Sequence, residues 1–141
     1  MKPAPRVACA LALLAAASCS RPAAAPAGAP GWEAMTARQR HEYMKSVVTP
    51  RMAAVFVAFD RHRYPKVDCL TCHGETGPKR GWVMPNPDLL LEPSPWNSAT
   101  SPDPASASSP MERFMATAVV GELSALVGRP AGCFACHSAE R

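Results

Sequence analysis

Two copies of one five-residue pattern constrain this chain more than any other feature. Cys69-Leu70-Thr71-Cys72-His73 and Cys133-Phe134-Ala135-Cys136-His137 both read C-x-x-C-H, the attachment signature of c-type haem. Two thiols separated by two residues on one turn can add to the two vinyl groups of a single porphyrin, and the next histidine then reaches the iron from the proximal side. Cys69, Cys72, Cys133 and Cys136 are therefore the expected attachment points of two covalent haems c, with His73 and His137 as fifth iron ligands. Two other chemistries use paired cysteines. A zinc site built from all four thiolates must bridge the sixty residues between Cys72 and Cys133, against roughly 15–20 in zinc ribbons, and it leaves both histidines unexplained. Disulfides are open to an exported chain, but adjacent C-x-x-C pairs are catalytic more often than structural.

The chain begins as exported proteins do. Lys2 and Arg6 precede an apolar run over residues 7–17 and then small residues, which is the form of a signal peptide and too short to span a bilayer stably. Residues 1–18 are read as that signal. Ala16-Ala17-Ser18-Cys19 resembles a bacterial lipobox, which makes Cys19 the candidate for lipidation. Ordinary cleavage near Ala23-Ala24-Ala25 is the alternative, and it leaves a soluble periplasmic protein. Residues 19–34 are rich in Ala and Pro, cannot bury a core, and read as a flexible tether. The functional domain is expected over residues 35–141, on the periplasmic side of a bacterial membrane.

That domain has little large apolar surface. Aromatic residues make up 6% of the 141-residue chain, and small domains of this kind usually need a covalent or metal staple. A helical pattern begins near Met35 and is expected to stop at Pro50. Thr49 can cap a second helix there, with Pro50 at its first position, and Met52, Val55, Phe56 and Phe59 form its apolar face. Eight of the sixteen prolines lie between Pro78 and Pro110, so neither helix nor strand is expected in that stretch. Within it, residues 74–93 have the apolar weight to wrap a haem edge, and residues 95–108 read as a mobile linker. Ser109-Pro110-Met111-Glu112 has the form of a capping box. The helix it opens carries Met111, Phe114, Met115, Ala118, Val119 and Leu126 on one face and closes at Gly128. The expected fold is mostly α: two helix-turn-haem units joined by a proline-rich loop, with little or no sheet.

The two halves also suggest the sixth iron ligands. Met52 precedes Cys69 by seventeen positions and Met115 precedes Cys133 by eighteen, so each helix can offer a thioether to the haem attached just downstream. A competing register aligns Met44 and Val48 with Met115 and Val119, which pairs Met52 with Leu123. Met52 and Met115 are the first candidates, with Met44 and Met111 as alternates. A stripe methionine is often core filler; Met84, in the loop, is a weaker candidate, and so are His41 and His62, since a lone histidine near a helix end usually faces solvent.

A helix carrying Met, a turn, then Cys69-Leu70-Thr71-Cys72-His73 with Gly77-Pro78 and Trp82 following resembles the haem units of the multihaem cytochrome subunit of photosynthetic reaction centres. That family carries four such units and this chain has two, so the likeness covers half of that architecture, from about Arg38 onward. The second unit lacks the Gly/Pro/Trp tail of the first. The resemblance implies helical methionines as distal ligands and a lipidated N-terminal cysteine.

Charge directs less than it first suggests. Without Lys2 and Arg6, thirteen basic residues face eleven acidic ones, and four haem propionates would turn the sum slightly negative. No basic run with interleaved aromatics supports nucleic-acid binding. Lys79, Arg80 and Arg129 lie near the motifs and are candidates to neutralise propionates. The expected function is single-electron transfer between redox partner proteins at a membrane, without a small-molecule substrate and without enzymatic activity. A dihaem peroxidase or a haem-based sensor is the alternative, and either needs one open distal position. The matured protein is expected to be coloured and to weigh two haems more than its amino acids. Replacing Cys69 and Cys72 with Ala should remove one haem by mass spectrometry and loosen the N-terminal half; an unchanged helical circular-dichroism signal in that variant would contradict this.

Overall fold

Thr36 starts the first helix by accepting from the Gln39 N–H, while the Gln39 side chain accepts from the Thr36 N–H, which satisfies two orphan donors at the helix start. In the computed structural model, which describes residues 31–98 and 103–140, the helix runs through α1 (Ala37–Tyr43), a π-helical turn (Met44–Val48) and α2 (Thr49–Phe59) without leaving helical dihedrals. The expected break at Pro50 is therefore corrected. Thr49 sits at φ −59° and ψ −47°, inside the helix, and its side chain is not a cap. A proline in a helix removes one N–H and crowds the carbonyl four residues back. The π turn ends just before it, with the Thr49 N–H bonded to the Met44 carbonyl. This shift in the ladder lets the helix pass the proline without ending.

The second helix is assembled in the same way. Ser109 caps it, accepting from the Glu112 N–H while Glu112 accepts from the Ser109 N–H. It then runs through α4 (Pro110–Phe114), a π turn (Met115–Val119) and α5 (Val120–Val127), and closes at Gly128 with φ 69°, as the capping box and the glycine led one to expect. Both π turns begin on a methionine, and each is followed two residues later by a poor helix former, Pro50 or Gly121.

The helices pack antiparallel. Tyr43 at one end donates its hydroxyl to the Leu126 carbonyl at 2.9 Å. At the other end Phe114 stacks on Phe59 at 4.0 Å and meets Phe56 edge-on at 5.3 Å. Val48, Met52, Phe56 and Phe114 form the buried centre, with Met44, Val55, Met111, Met115, Val119 and Leu123 around it. Arg51 and Glu122 bridge the pair at 2.6 Å. Upstream, Trp32–Ala34 form a short 3-10 turn that packs on the first helix, the Trp32 ring lying against Tyr43 and the Arg40 guanidinium.

The proline-rich stretch holds a strand, contrary to expectation. β1 (Asn86–Leu91) pairs in parallel with β2 (His137–Ala139), with Asn86 opposite His137, Leu90 opposite Ser138 and Leu91 opposite Ala139. The ladder is irregular between Asn86 and Leu90, which accommodates Pro87, a residue that cannot donate and is confined to edges and irregularities. The fold is thus mostly helical with one short parallel sheet. Of the stretch read as a linker, residues 99–102 lie outside the described residues. On its near side the buried Asn97 donates to the Glu92 carbonyl and accepts from the Ser94 N–H, and Trp96 donates to the Asp103 carbonyl at 2.7 Å across the gap. The signal, Cys19 and residues 20–30 of the tether also lie outside the described residues, among which no helix is long and apolar enough to cross a membrane. Phe114→Ala empties the contact between the two helices and is expected to cost about 3–5 kcal/mol, read as a lowered urea midpoint.

Candidate functional site

Each cysteine–histidine motif occupies one tight turn, but the two turns are made differently. The first is α3 (Cys69–His73), capped by Asp68, whose carboxylate accepts from the Leu70 N–H at 3.0 Å while its own N–H donates to Thr71 Oγ1. Lys66, at 3.2 Å from that carboxylate, is the main cause holding the Asp68 pKa below its usual value, so the cap stays charged. Gly74 ends the turn at φ 72°, a conformation that favours glycine. The second motif is a 3-10 turn (Cys133–Ala135), with the Cys136 N–H bonded to the Cys133 carbonyl at 3.1 Å, and the chain passes into β2 at His137. In both cases the two thiols share a single turn and the histidine stands at its exit.

The four cysteines are free thiols. Burial pushes Cys72 up to about 11, helped by the neighbouring sulfurs of Cys136 and Cys69 and by Asp68. Burial likewise raises Cys133 and Cys136. A catalytic dithiol is favoured by the opposite, a thiol pKa lowered towards neutrality. Nor do the donors converge: among the described residues no three His, Cys, Asp or Glu side chains form a group that could hold an ion, whereas tetrahedral zinc needs four on one centre. Each pair of thiols is instead followed directly by its own imidazole.

The imidazoles suit it too. Burial lowers the pKa of His73, with the Arg80 charge adding to the effect, and burial lowers that of His137. Both rings are thereby kept neutral, the form in which histidine binds iron. The backbone of Trp82 and of Leu89 lies close enough to offset part of each shift, yet neither Nδ1 reaches hydrogen-bonding geometry with any group. The two Nδ1 atoms are thus buried at equivalent positions of the two motifs.

The loop after the first motif is tied to it by Arg80. Its guanidinium donates to the His73 carbonyl at 2.9 Å, to the Val83 carbonyl at 2.8 Å and to Thr76 Oγ1 at 3.1 Å. Arg80 is thus a brace within the loop, and Arg129 pairs with Glu33 at 3.3 Å; the candidate role of both at propionates gains no support from these contacts. Trp82 stands at φ 64°, a strained position for a bulky residue. Its ring is edge-on to His73 at 5.5 Å and tilted against His41 at 5.9 Å. Asn86, within the proline-rich stretch, links the motifs: its side chain donates to the Cys72 carbonyl at 3.1 Å and its N–H donates to the Cys136 carbonyl at 2.9 Å. An Asn-Pro step inside a loop was the one local signal it left.

The methionine candidates take distinct places. Met52 is 5% exposed, enclosed by the helix pair. Met44, Met111 and Met115 are half-buried on the rim of that core, and Met111 Sδ is 4.0 Å from the Tyr64 hydroxyl. Thr49 Oγ1 lies 3.9 Å from Cys69 Sγ, so the first helix passes close to the first motif. His62 is exposed in the turn after α2. Along α5, Ala116, Gly121, Ser124, Ala125 and Gly128 line an open cleft of about 540 Å³, and Ser124 accepts from the Ala131 N–H at 3.0 Å just before the second motif. No protein-family model, curated protein or solved structure matches the chain.

The imidazole shifts carry a pH signature. Because burial holds both folded pKa values below 6.5, the unfolded chain takes up these protons first on acidification. The associated stability is complete above that value and is lost as pH falls through the folded values. In the haem-free chain, where neither imidazole is held by iron, the urea midpoint should therefore decline as pH drops from about 7 towards about 5; a flat profile over that range would be inconsistent with half-buried neutral imidazoles.

Proposed function

We propose that this chain is a dihaem c-type cytochrome that passes single electrons between redox proteins at a membrane. The observation that carries the reading is that each of two tight turns holds two free thiols, with a half-buried histidine at its exit. Cys69 and Cys72 would hold one haem with His73 as ligand, and Cys133 and Cys136 the other with His137. Each bound haem would supply one reversible one-electron couple, whose potential follows from the axial ligands and burial.

The chain's own residues fit that task. The rim of the helix pair carries thioethers and aliphatic groups, Met44, Met115, Val119 and Leu123 among them, and a thioether is a soft sixth ligand for haem iron. A peroxidase would need polar distal groups beside an open iron, whereas the residues around the helix core are mainly methionines and aliphatic groups. The shared placement of Met44 and Met115 at the head of equivalent π turns favours these two as distal ligands, since π turns often mark functional positions. Met52, first by spacing, is enclosed between the helices instead. Likeness to half of the reaction-centre haem subunit belongs to the same proposal, as do lipidation at Cys19 and residues 19–34 as a tether that keeps the haems within reach of membrane-bound partners.

Spectroscopy separates the readings. The reduced protein is expected to bind carbon monoxide poorly at both irons, and the oxidised protein to show a weak far-red Met-to-iron band. Met44→Leu and Met115→Leu should each remove part of that band, while the volume-conserving Met52→Leu should leave it intact. Ready carbon monoxide binding by the unaltered protein would instead favour an enzyme or sensor.

A further inference from the structure

Asn86 has the most enclosed side chain of the described residues, at 1% exposure, and its polar atoms are shared between the two motifs. The amide Nδ2 donates to the carbonyl of Cys72 at 3.1 Å, and the backbone N–H donates to the carbonyl of Cys136 at 2.9 Å. These two carbonyls are equivalent: each belongs to the second cysteine of its motif and immediately precedes the histidine. The remaining groups are also engaged. Oδ1 accepts from the Asp88 N–H at 3.0 Å and from Arg80 Nη2 at 3.5 Å, and the Asn86 carbonyl accepts from Ser138 Oγ at 3.1 Å. In the parallel ladder Asn86 stands opposite His137 itself.

We infer that Asn86 is the positioning residue that locks the two cysteine–histidine motifs into one mutual orientation, and thereby sets the electronic coupling between the two haems; this rests on the dihaem reading above. A carboxamide is the group this position requires. Aspartate would turn a carboxylate oxygen towards the Cys72 carbonyl, and leucine, of similar shape, would leave that carbonyl and the Asp88 N–H without partners in a buried place. The fit extends to Gly74, directly after His73. A Cβ there would lie 2.9 Å from Asn86 Nδ2 and 2.9 Å from Asp88 Oδ2, so the absence of a side chain after the first histidine is what admits the amide. A residue that only strengthened its own loop would need bonds to that loop alone. Asn86 spends one bond on each motif, at matching atoms.

The test uses the matured, haem-loaded protein and its Asn86→Ala and Ser138→Ala variants, with haem content checked first by mass. Electron paramagnetic resonance of the fully oxidised and half-reduced forms reads the spin–spin interaction between the irons, and redox titration reads the separation of the two reduction steps. Unaltered protein should show a defined interaction. Asn86→Ala, retaining both haems and unchanged ligand-field signals, should lose or broaden that interaction and shift the separation of the steps. Ser138→Ala, which removes only the bond to the Asn86 carbonyl, should do so to a smaller degree, and it decides the matter if Asn86→Ala does not accumulate. A merely stabilising role would lower the urea midpoint and leave the coupling untouched. Wild-type coupling in whichever of these variants carries both haems overturns the inference, as does an uncoupled wild type with both haems in place. A wild-type protein without haem overturns the dihaem reading itself, which the mass alone reveals.

Discussion

Phe114 packed against Phe56 and Phe59 is the contact that makes one molecule of two similar units. The apolar stripes of the two helices cover one another along this contact. The chain has few aromatics with which to build a core, and three of its four phenylalanines are concentrated in this one junction. Edge-on and stacked rings hold the helices antiparallel at one end, and the Tyr43 hydroxyl closes the other. The ends from which the two motif-bearing segments depart are thereby placed relative to one another.

Holding helices together does not by itself align short turns that follow flexible connections. The polar layer beside the motifs does that. Arg80 gathers the loop after His73 onto that histidine's own carbonyl, and β1 pairs with the chain end that carries the second motif. A buried, fully engaged polar network is costly to rearrange, because each member would leave a desolvated partner behind. It therefore suits a place where orientation matters, much as the apolar junction suits one where bulk attraction is needed.

The internal repeat shows how local and global signals can disagree. Counting residues back from the cysteines pairs Met52 with Met115, whereas the helices themselves repeat from Met44 and Met115, the first residues of the two π turns. The second helix reaches its motif through a shorter connection, so the two ways of counting diverge. Pro50 misled for a related reason. A proline in an otherwise helical pattern signals an end when only neighbours are considered, but the π turn before it and the packing of Met52 and Phe56 against the other helix keep the chain helical through it.

What the sequence determined alone was set by groups close together along the chain. The thiol–thiol–imidazole order of each motif, the cap at Ser109 with its Glu112 partner, the stop at Gly128 and the apolar stripes each depend on atoms a few residues apart, so they are written into local order. Only the tertiary structure decided that Asn86–Leu91 is a strand, that Asn86 reaches Cys72 and Cys136, and that Met52 lies inside while Met44 and Met115 sit on the rim. Those outcomes depend on partners tens of residues away, and a proline-rich segment carries no alternation of its own to announce them. Its pairing sets the backbone groups of Asn86–Leu91 beside those of His137–Ala139, and backbone groups that leave water must find partners.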